Sequence, residues 1–330
     1  MTEPEAGKPA LPIPHWPGRL VSLGDHQVFL RTGPAGAAAE PALCVHGLEG
    51  SSRNWTDLID LLRPRLACDA LDLPGFGDSP PRPDGRYSIA ALAQTVTALV
   101  ERTGRAPVHL LGNSLGGAVC VKVAATRPDL IRTLTLISPA LPDSRPRLDL
   151  LRFPLMSVPG VGARLLRRLQ HTPAERRVAD VIASCYSDPG RFPRARLAAE
   201  VAELTRRDAL DYPAAVLVGS LRTLTAETLR GIPPGRPAWR DAAGITAPTL
   251  VIYGHDDRLV HARMAGRAAR AFPNARIVVM PSTGHVAHME HPRLVAAEIA
   301  VLLDTAHRAG PPGRTREPQE AREFPLTPAG

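Results

Sequence analysis

Short apolar runs recur through the first 140 and the last 90 residues of the chain, and between them lie segments whose apolar positions repeat at helical spacing. The runs are ALCVHG (42–47), LACDALDL (66–73), VHLLGN (108–113), RTLTLIS (132–138), PTLVIYG (248–254) and ARIVVMP (275–281). The helical patterns lie near 54–62, 88–103, 115–127, 262–272 and 291–307. A strand that is apolar nearly throughout buries both faces. The alternation therefore predicts an α/β fold, a mostly parallel, doubly wound sheet covered by helices on both sides. Ahead of it, LVSLGDHQVFLR (20–31) reads as a hairpin turning at Gly24-Asp25. Right-handed crossovers put the carboxyl ends of the parallel strands on one edge, where a ligand crevice forms.

The alternation breaks once, between about 140 and 240, where the chain is punctuated by proline and rich in arginine. Where it has a pattern there, the pattern is helical (VGARLLRRLQ, ARLAAEVAELTRR). An insertion of this length after a strand emerges at the ligand edge and is expected to lie over it as a lid. The ends, 1–17 and 309–330, are rich in proline, glycine and charge, lack an apolar period, and are expected to be flexible. The expected organisation is a core of 18–140 and 241–308 with a helical, arginine-rich cap of 141–240.

Charge sharpens that division. Of a formal net charge of +8, residues 1–140 contribute zero, whereas 141–240 hold 17 basic against 10 acidic side chains. Arginines there, such as Arg164, Arg167 and Arg168, suit a carboxylate on an acidic substrate, an anionic membrane surface, or simply a solvated helix face. Only Lys8 and Lys122 are lysine, a skew that with the abundant Ala, Gly and Pro points to a G+C-rich genome. An apolar content of 44% is that of an ordinary soluble domain. Aromatics at 4%, with no recognisable binding module, argue against nucleic acid.

No apolar run approaches the ~18 to 20 residues of a membrane helix. The opening MTEPEAGKPALPIPHWPG lacks the apolar segment of a signal peptide, so a cytoplasmic location is expected. Cys44, Cys68, Cys120 and Cys185 form no C-x-x-C pair and no cluster at metal spacing, and are expected to be free thiols.

Candidate chemistry centres on LLGNSLGGAV (110–119). Gly112-Asn113-Ser114-Leu115-Gly116 fits G-x-S-x-G, which would hold Ser114 on a strained turn between a strand and a helix. A serine hydroxyl is a weak nucleophile and needs a base, an orienting acid and donors for the oxyanion. For the base, PSTGHVAHMEHP (281–292) offers His285 in the loop after the last strand, with His288 and His291 close by. For the acid, YGHDDRLV (253–260) offers Asp256 or Asp257 at the end of another strand. For the oxyanion, VHGLEGSS (45–52) turns at His46-Gly47, so that the Leu48 N–H can face the crevice, with the Leu115 N–H as second donor.

Strand-HG-loop, LGNSLGG, G-x-x-D and GH-x-x-x-x-E-x-P, in that order, resemble the α/β-hydrolase superfamily with a helical cap, over about residues 18–307. The resemblance implies Asp257 over Asp256, and His285 over His288 and His291. DLPGFGDS (72–79) is similar to a loop of the family that is mainly structural, which implies no catalytic role for Asp72 and Asp78.

The implied chemistry is a serine hydrolase acting on a small-molecule acyl substrate through an acyl-enzyme. Ser114 attacks, His285 shuttles the proton, and Asp257 orients His285. Neither metal nor organic cofactor is required. Epoxide hydrolases and haloalkane dehalogenases of the superfamily use an aspartate where this chain has Ser114. The GNS-x-GG elbow is similar to that of C–C bond hydrolases acting on ring-fission products, which often carry a tryptophan after the base; here Val286 stands there. A carboxylic-ester hydrolase is the favoured expectation. C–C hydrolysis, cofactor-free perhydrolase activity, and a ligand receptor on the same fold are the alternatives.

Overall fold

The computed structural model describes residues 13–143, 155–158, 160–230 and 237–309. Among these, eight strands form one sheet: β1 (Gly18–Ser22), β2 (Gln27–Thr32), β3 (Glu40–Val45), β4 (Leu66–Leu71), β5 (Val108–Asn113), β6 (Ile131–Ile137), β7 (Thr249–Gly254) and β8 (Ala275–Met280). The order across the sheet is β1-β2-β4-β3-β5-β6-β7-β8. β1 and β2 form the expected hairpin, with Gly24 in the left-handed region at φ 96°, and β2 pairs antiparallel with β4. The remaining six strands are parallel. Every residue of β5 and β7 is buried, as expected of strands covered on both faces.

Helices α1 (Thr56–Leu62), α2 (Ile89–Thr103) and α3 (Leu115–Thr126) connect the first parallel strands. The pattern expected near 54–62 resolves into a 3₁₀ turn, Ser52–Trp55, capped reciprocally by Ser51 and Asn54, followed by α1. α2 begins where the Ser88 hydroxyl accepts the Ala91 N–H, and ends at Gly104, φ 63°.

Between β6 and β7 the chain makes its long excursion, through α4 (Val161–Gln170), α5 (Ala174–Cys185), α6 (Arg194–Asp208), α7 (Pro213–Arg230) and α8 (Pro237–Ala243). After β7 come α9 (Met264–Ala271), the single turn α10 (Ala287–Glu290), and α11 (Pro292–Ala309).

Two apolar cores flank the sheet. One packs α2, α3, α8 and α9 through Leu92, Val96, Val119, Val123, Trp239 and Met264. The other packs α1 and α11 through Leu58, Leu62, Val295 and Ile299.

Two stretches differ from the expected boundaries. α8 lies on the core helix α3: the Trp239 indole donates to the Pro142 carbonyl at 2.9 Å, and Lys122 meets Asp241 at 3.1 Å. The core layer therefore resumes at 237, inside the range expected for the cap. Residues 13–17 of the expected flexible segment pack on the core: the Pro17 carbonyl accepts Thr32 N–H at 3.1 Å, and His15 lies 2.8 Å from the Thr56 hydroxyl. Residues 1–12 and 310–330 lie outside the described residues.

The inserted helices meet the loop after β4 and the first turn of α1. Arg206 donates to the Gly77 carbonyl at 2.9 Å, Arg196 pairs with Asp57 at 2.6 Å, and Val216 packs against Gly75.

Candidate active site

Ser114 follows β5 directly and stands as N-cap of α3 at φ 51°, ψ −117°, a conformation that L residues rarely adopt. Its backbone is held on three sides. Ser114 N–H donates to Ile137 at 3.0 Å, and its carbonyl accepts Ala118 N–H at 3.1 Å and Ala140 N–H at 2.9 Å. The turn is this tight because Gly116 has no side chain: a Cβ there would sit 2.3 Å from the Val45 carbonyl oxygen. The Ser114 side chain is half-buried and, among the described residues, its hydroxyl takes no hydrogen bond.

The loop after β3 lies against this elbow. A Cβ on Gly47 would come within 3.1 Å of the Ser114 Cβ. The buried His46 ring shapes the loop: its Nε2 accepts the Leu73 N–H at 2.9 Å, which leaves Nδ1 as donor to the Gly47 carbonyl, 2.6 Å away. Burial lowers its pKa, so His46 is a neutral structural group. Leu48 N–H donates to no group among the described residues. Leu115 N–H heads α3, where first-turn N–H groups have no helical partner.

β7 and β8 deliver the other two groups. His285 Nδ1 and Asp257 Oδ2 lie 2.9 Å apart, both residues being buried. The second Asp257 oxygen accepts the N–H groups of Leu259 and Val260 at 2.8 and 2.9 Å. Burial works to raise the Asp257 carboxyl, but His285 and these hydrogen bonds outweigh it and hold the group below its ordinary value. Asp256 points elsewhere, to the Ser187 hydroxyl and His255 Nδ1, each at 2.7 Å. The other histidines also turn away from Asp257. His291 Nε2 meets Arg191 and the Ser282 carbonyl, and His288 is buried against the Trp55 ring, 4.4 Å between centroids, with neither ring nitrogen hydrogen-bonded among the described residues. Asp72 is a loop tie, accepting Ser52 N–H at 2.5 Å and Asp78 N–H at 2.8 Å.

Asn113 joins the elbow to the histidine loop, its amide donating to the carbonyls of Ile137 at 3.0 Å and His285 at 3.2 Å. Sequence reasoning passes over it because it fills the variable position of G-x-S-x-G. Glu290 is passed over likewise. It is the E of GH-x-x-x-x-E-x-P, and its fully buried carboxylate binds Gly284 N–H at 2.7 Å and three groups of the insertion. Among the described residues no set of three His, Cys, Asp or Glu side chains is arranged to hold a metal ion. All four cysteines are free, and burial raises the Cys185 thiol to about 12.

A serine on a strained strand-to-helix turn and a His–Asp pair at the same sheet edge agree with a family-wide match. The model of the alpha/beta hydrolase fold fits residues 41–292. The chain belongs to the alpha/beta hydrolase fold family. It is similar to the dihydrolipoyllysine-residue acetyltransferase component of the acetoin cleaving system of Cupriavidus necator, 26% identical over 80% of this chain. It spans only 63% of that relative's length. It is also similar to a 2-hydroxy-6-oxononadienedioate/2-hydroxy-6-oxononatrienedioate hydrolase of Cupriavidus pinatubonensis, 26% identical over 82% of this chain and 89% of the relative. Among solved structures, a lipase of Acinetobacter baumannii superposes with a TM-score of 0.71 at 22% identity, covering 89% of this chain and 92% of that one, a likeness of fold. Among the described residues of this hydrolase-fold protein, no helix is long and apolar enough to cross a membrane.

Proposed function

We propose that the protein is a serine hydrolase that cleaves a carboxylic ester through an acyl-enzyme. The observation that carries this reading is the buried His285–Asp257 pair, 2.9 Å apart, on the edge where Ser114 is held at φ 51°. His285 takes the Ser114 proton through Nε2 while Asp257 fixes Nδ1–H and stabilises the imidazolium. Ser114 Oγ attacks the carbonyl, and the N–H groups of Leu48 and Leu115 bind the oxyanion, aided by the N-terminus of α3. His285 returns the proton to the leaving alcohol, and water then repeats the sequence to release the acid. The helices α4 to α7 form the cap that shapes the substrate pocket, over a core that includes α8 and residues 13–17. Four free thiols suit a reducing, cytoplasmic setting.

Labelling of Ser114 by a fluorophosphonate, followed by a series of p-nitrophenyl esters of increasing chain length, tests the reading. Labelling with ester turnover is expected. Labelling without ester turnover would favour a C–C or other specialised substrate, and absence of labelling would favour a receptor.

C–C hydrolysis is the second reading, favoured by the GNSLGG elbow and by the C. pinatubonensis relative, whose name gives a dicarboxylate substrate. Arg207 is the arginine that would serve such an acidic substrate. It stacks over Phe76 at 5.6 Å, its charge acts on Glu49 and His46 beside the proposed oxyanion loop, and among the described residues it meets no carboxylate in an ion pair.

A further inference from the structure

The insertion does more than cover the edge of the sheet: one of its corners, residues 185–191, is built into the histidine loop. The His285 N–H donates to the Cys185 carbonyl at 2.6 Å. Gly284 lies so close that a Cβ would sit 2.3 Å from the Cys185 oxygen and 2.6 Å from Ser187 N. Glu290, one turn further along, ties the two segments. One oxygen accepts Gly284 N–H at 2.7 Å and Ser187 N–H at 3.1 Å; the other accepts Asp188 N–H at 3.0 Å and Arg191 Nη1 at 2.9 Å. Arg191 also donates to the Ser282 carbonyl at 2.7 Å. Tyr186, Phe192 and Val286 close an apolar cluster around the joint.

His285 is therefore fixed from three directions. Its side chain is held by Asp257, its carbonyl by Asn113 of the elbow, and its N–H by the insertion. Only the third comes from outside the core, and it is kept in place by a carboxylate that no solvent reaches. Four hydrogen bonds converging on one carboxylate, one of them from the Arg191 guanidinium, are strong and directional, so the loop and the corner are held as one piece.

We infer that Glu290 is a positioning residue for His285, and that through it the corner 185–191 of the insertion helps set the place of the base. The inference rests on the reading of His285 as the base of Ser114. Glu290 touches neither substrate nor reacting atom. It acts by holding Gly284, and with it the backbone of His285, against Cys185, so a displaced corner leaves the imidazole out of line with the serine.

The test uses the full chain, with Ser114→Ala as the blank, and measures two quantities: the second-order rate of Ser114 labelling by a fluorophosphonate, and amide exchange across 283–290 by mass spectrometry. Glu290→Gln keeps the shape but loses the charge and one acceptor. It is expected to label roughly 10- to 100-fold more slowly, the cost of a misplacement of about 1 Å, with faster exchange at 284–286. On a p-nitrophenyl ester, kcat is expected to fall more than KM rises. Should Glu290→Gln fail to fold, the exposed Arg191 carries the test: Arg191→Ala slows labelling several-fold, and Arg191→Lys, which keeps a cation in reach, recovers most of the loss. Labelling of folded Glu290→Gln, or of Arg191→Ala in its place, within twofold of wild type overturns the positioning role alone. A wild type that does not label at all overturns the reading of Ser114 and His285, and this inference with it.

Discussion

The side-chain amide of Asn113 bridges two carbonyls, that of Ile137 at the end of β6 and that of His285 in the loop after β8, so the residue before the proposed nucleophile also holds the backbone of the proposed base. Asn113→Ala would take the donor from the buried His285 carbonyl, whereas the Ile137 carbonyl keeps the Ser114 N–H. It should destabilise the fold by roughly 1–3 kcal/mol and slow fluorophosphonate labelling of Ser114. Urea denaturation alongside labelling kinetics checks both effects; a loss of stability with unchanged labelling would reduce Asn113 to a purely structural tie.

Ser114 is held where glycine would be more comfortable. Ser114→Ala should abolish labelling and ester turnover with little change in stability. Ser114→Gly should abolish both as well, yet raise the unfolding free energy by about 1 kcal/mol by relieving the positive φ. Thermal melts of the two variants separate strain from chemistry.

Adjacent carboxylates give a sharp contrast. Asp257→Asn should lower kcat by roughly 10²- to 10⁴-fold, because an amide no longer fixes the Nδ1–H tautomer of His285. Asp256→Asn, which alters side-chain hydrogen bonds to Ser187 and His255 and none to His285, should stay within a few-fold of wild type. Steady-state kinetics on one ester decides it, and the reverse ranking would move the acid to Asp256.

His288 predicts a pH effect on stability. Burial, with His285 close by, lowers its pKa from 6.5 to about 3, so the folded chain keeps it neutral. The unfolded chain takes up a proton below about 6.5 and the folded one does not. Stability is therefore unaffected by this residue above pH 6.5, and falls by about 1.4 kcal/mol per pH unit as the pH drops from there towards 3. His288→Phe, which preserves stacking on Trp55, should flatten that slope between pH 6 and pH 4. Identical acid limbs in denaturation curves of the two proteins would refute the assignment.

Arg207 should discriminate between substrates. Arg207→Ala is expected to raise KM for an anionic substrate by about tenfold or more, the scale of one lost charge-assisted hydrogen bond. KM for a neutral ester should change less than threefold. Parallel kinetics on a neutral ester and its carboxylated analogue measure the difference.

What was legible in the sequence follows from what is local. The parallel strands announce themselves because burial on both faces forces an unbroken apolar run, as in VHLLGN and TLVIYG. Asp257 and His285 are legible because each lies in a loop that follows a strand at the edge where the parallel strands finish, and the family resemblance then selects them over Asp256, His288 and His291. Features that depend on distant partners stayed hidden. α8 looked like the end of the insertion because nothing in PAWRDAA shows that Trp239 will reach Pro142. Residues 13–17 looked loose because their partners lie on Thr32 and Thr56. Glu290 read as one letter of a motif, since three of its four donors lie about a hundred residues away.

The long excursion of the chain leaves from β6 and returns to β7, and these two strands are hydrogen-bonded neighbours, Ile137 opposite Ile252. The excursion leaves the carboxyl end of β6 and, by way of α8, reaches the amino end of β7, and these parallel strands pair with each other without help from what lies between them. A recombination event between the end of β6 and the start of α8 exchanges the inserted layer and leaves both α8 on the core and the hydrogen-bonding of the sheet intact. The graft is not unconditional. Any newcomer must offer a carbonyl to the His285 N–H and donors to the Glu290 carboxylate, so the scaffold accepts foreign layers only in the company of one inherited corner.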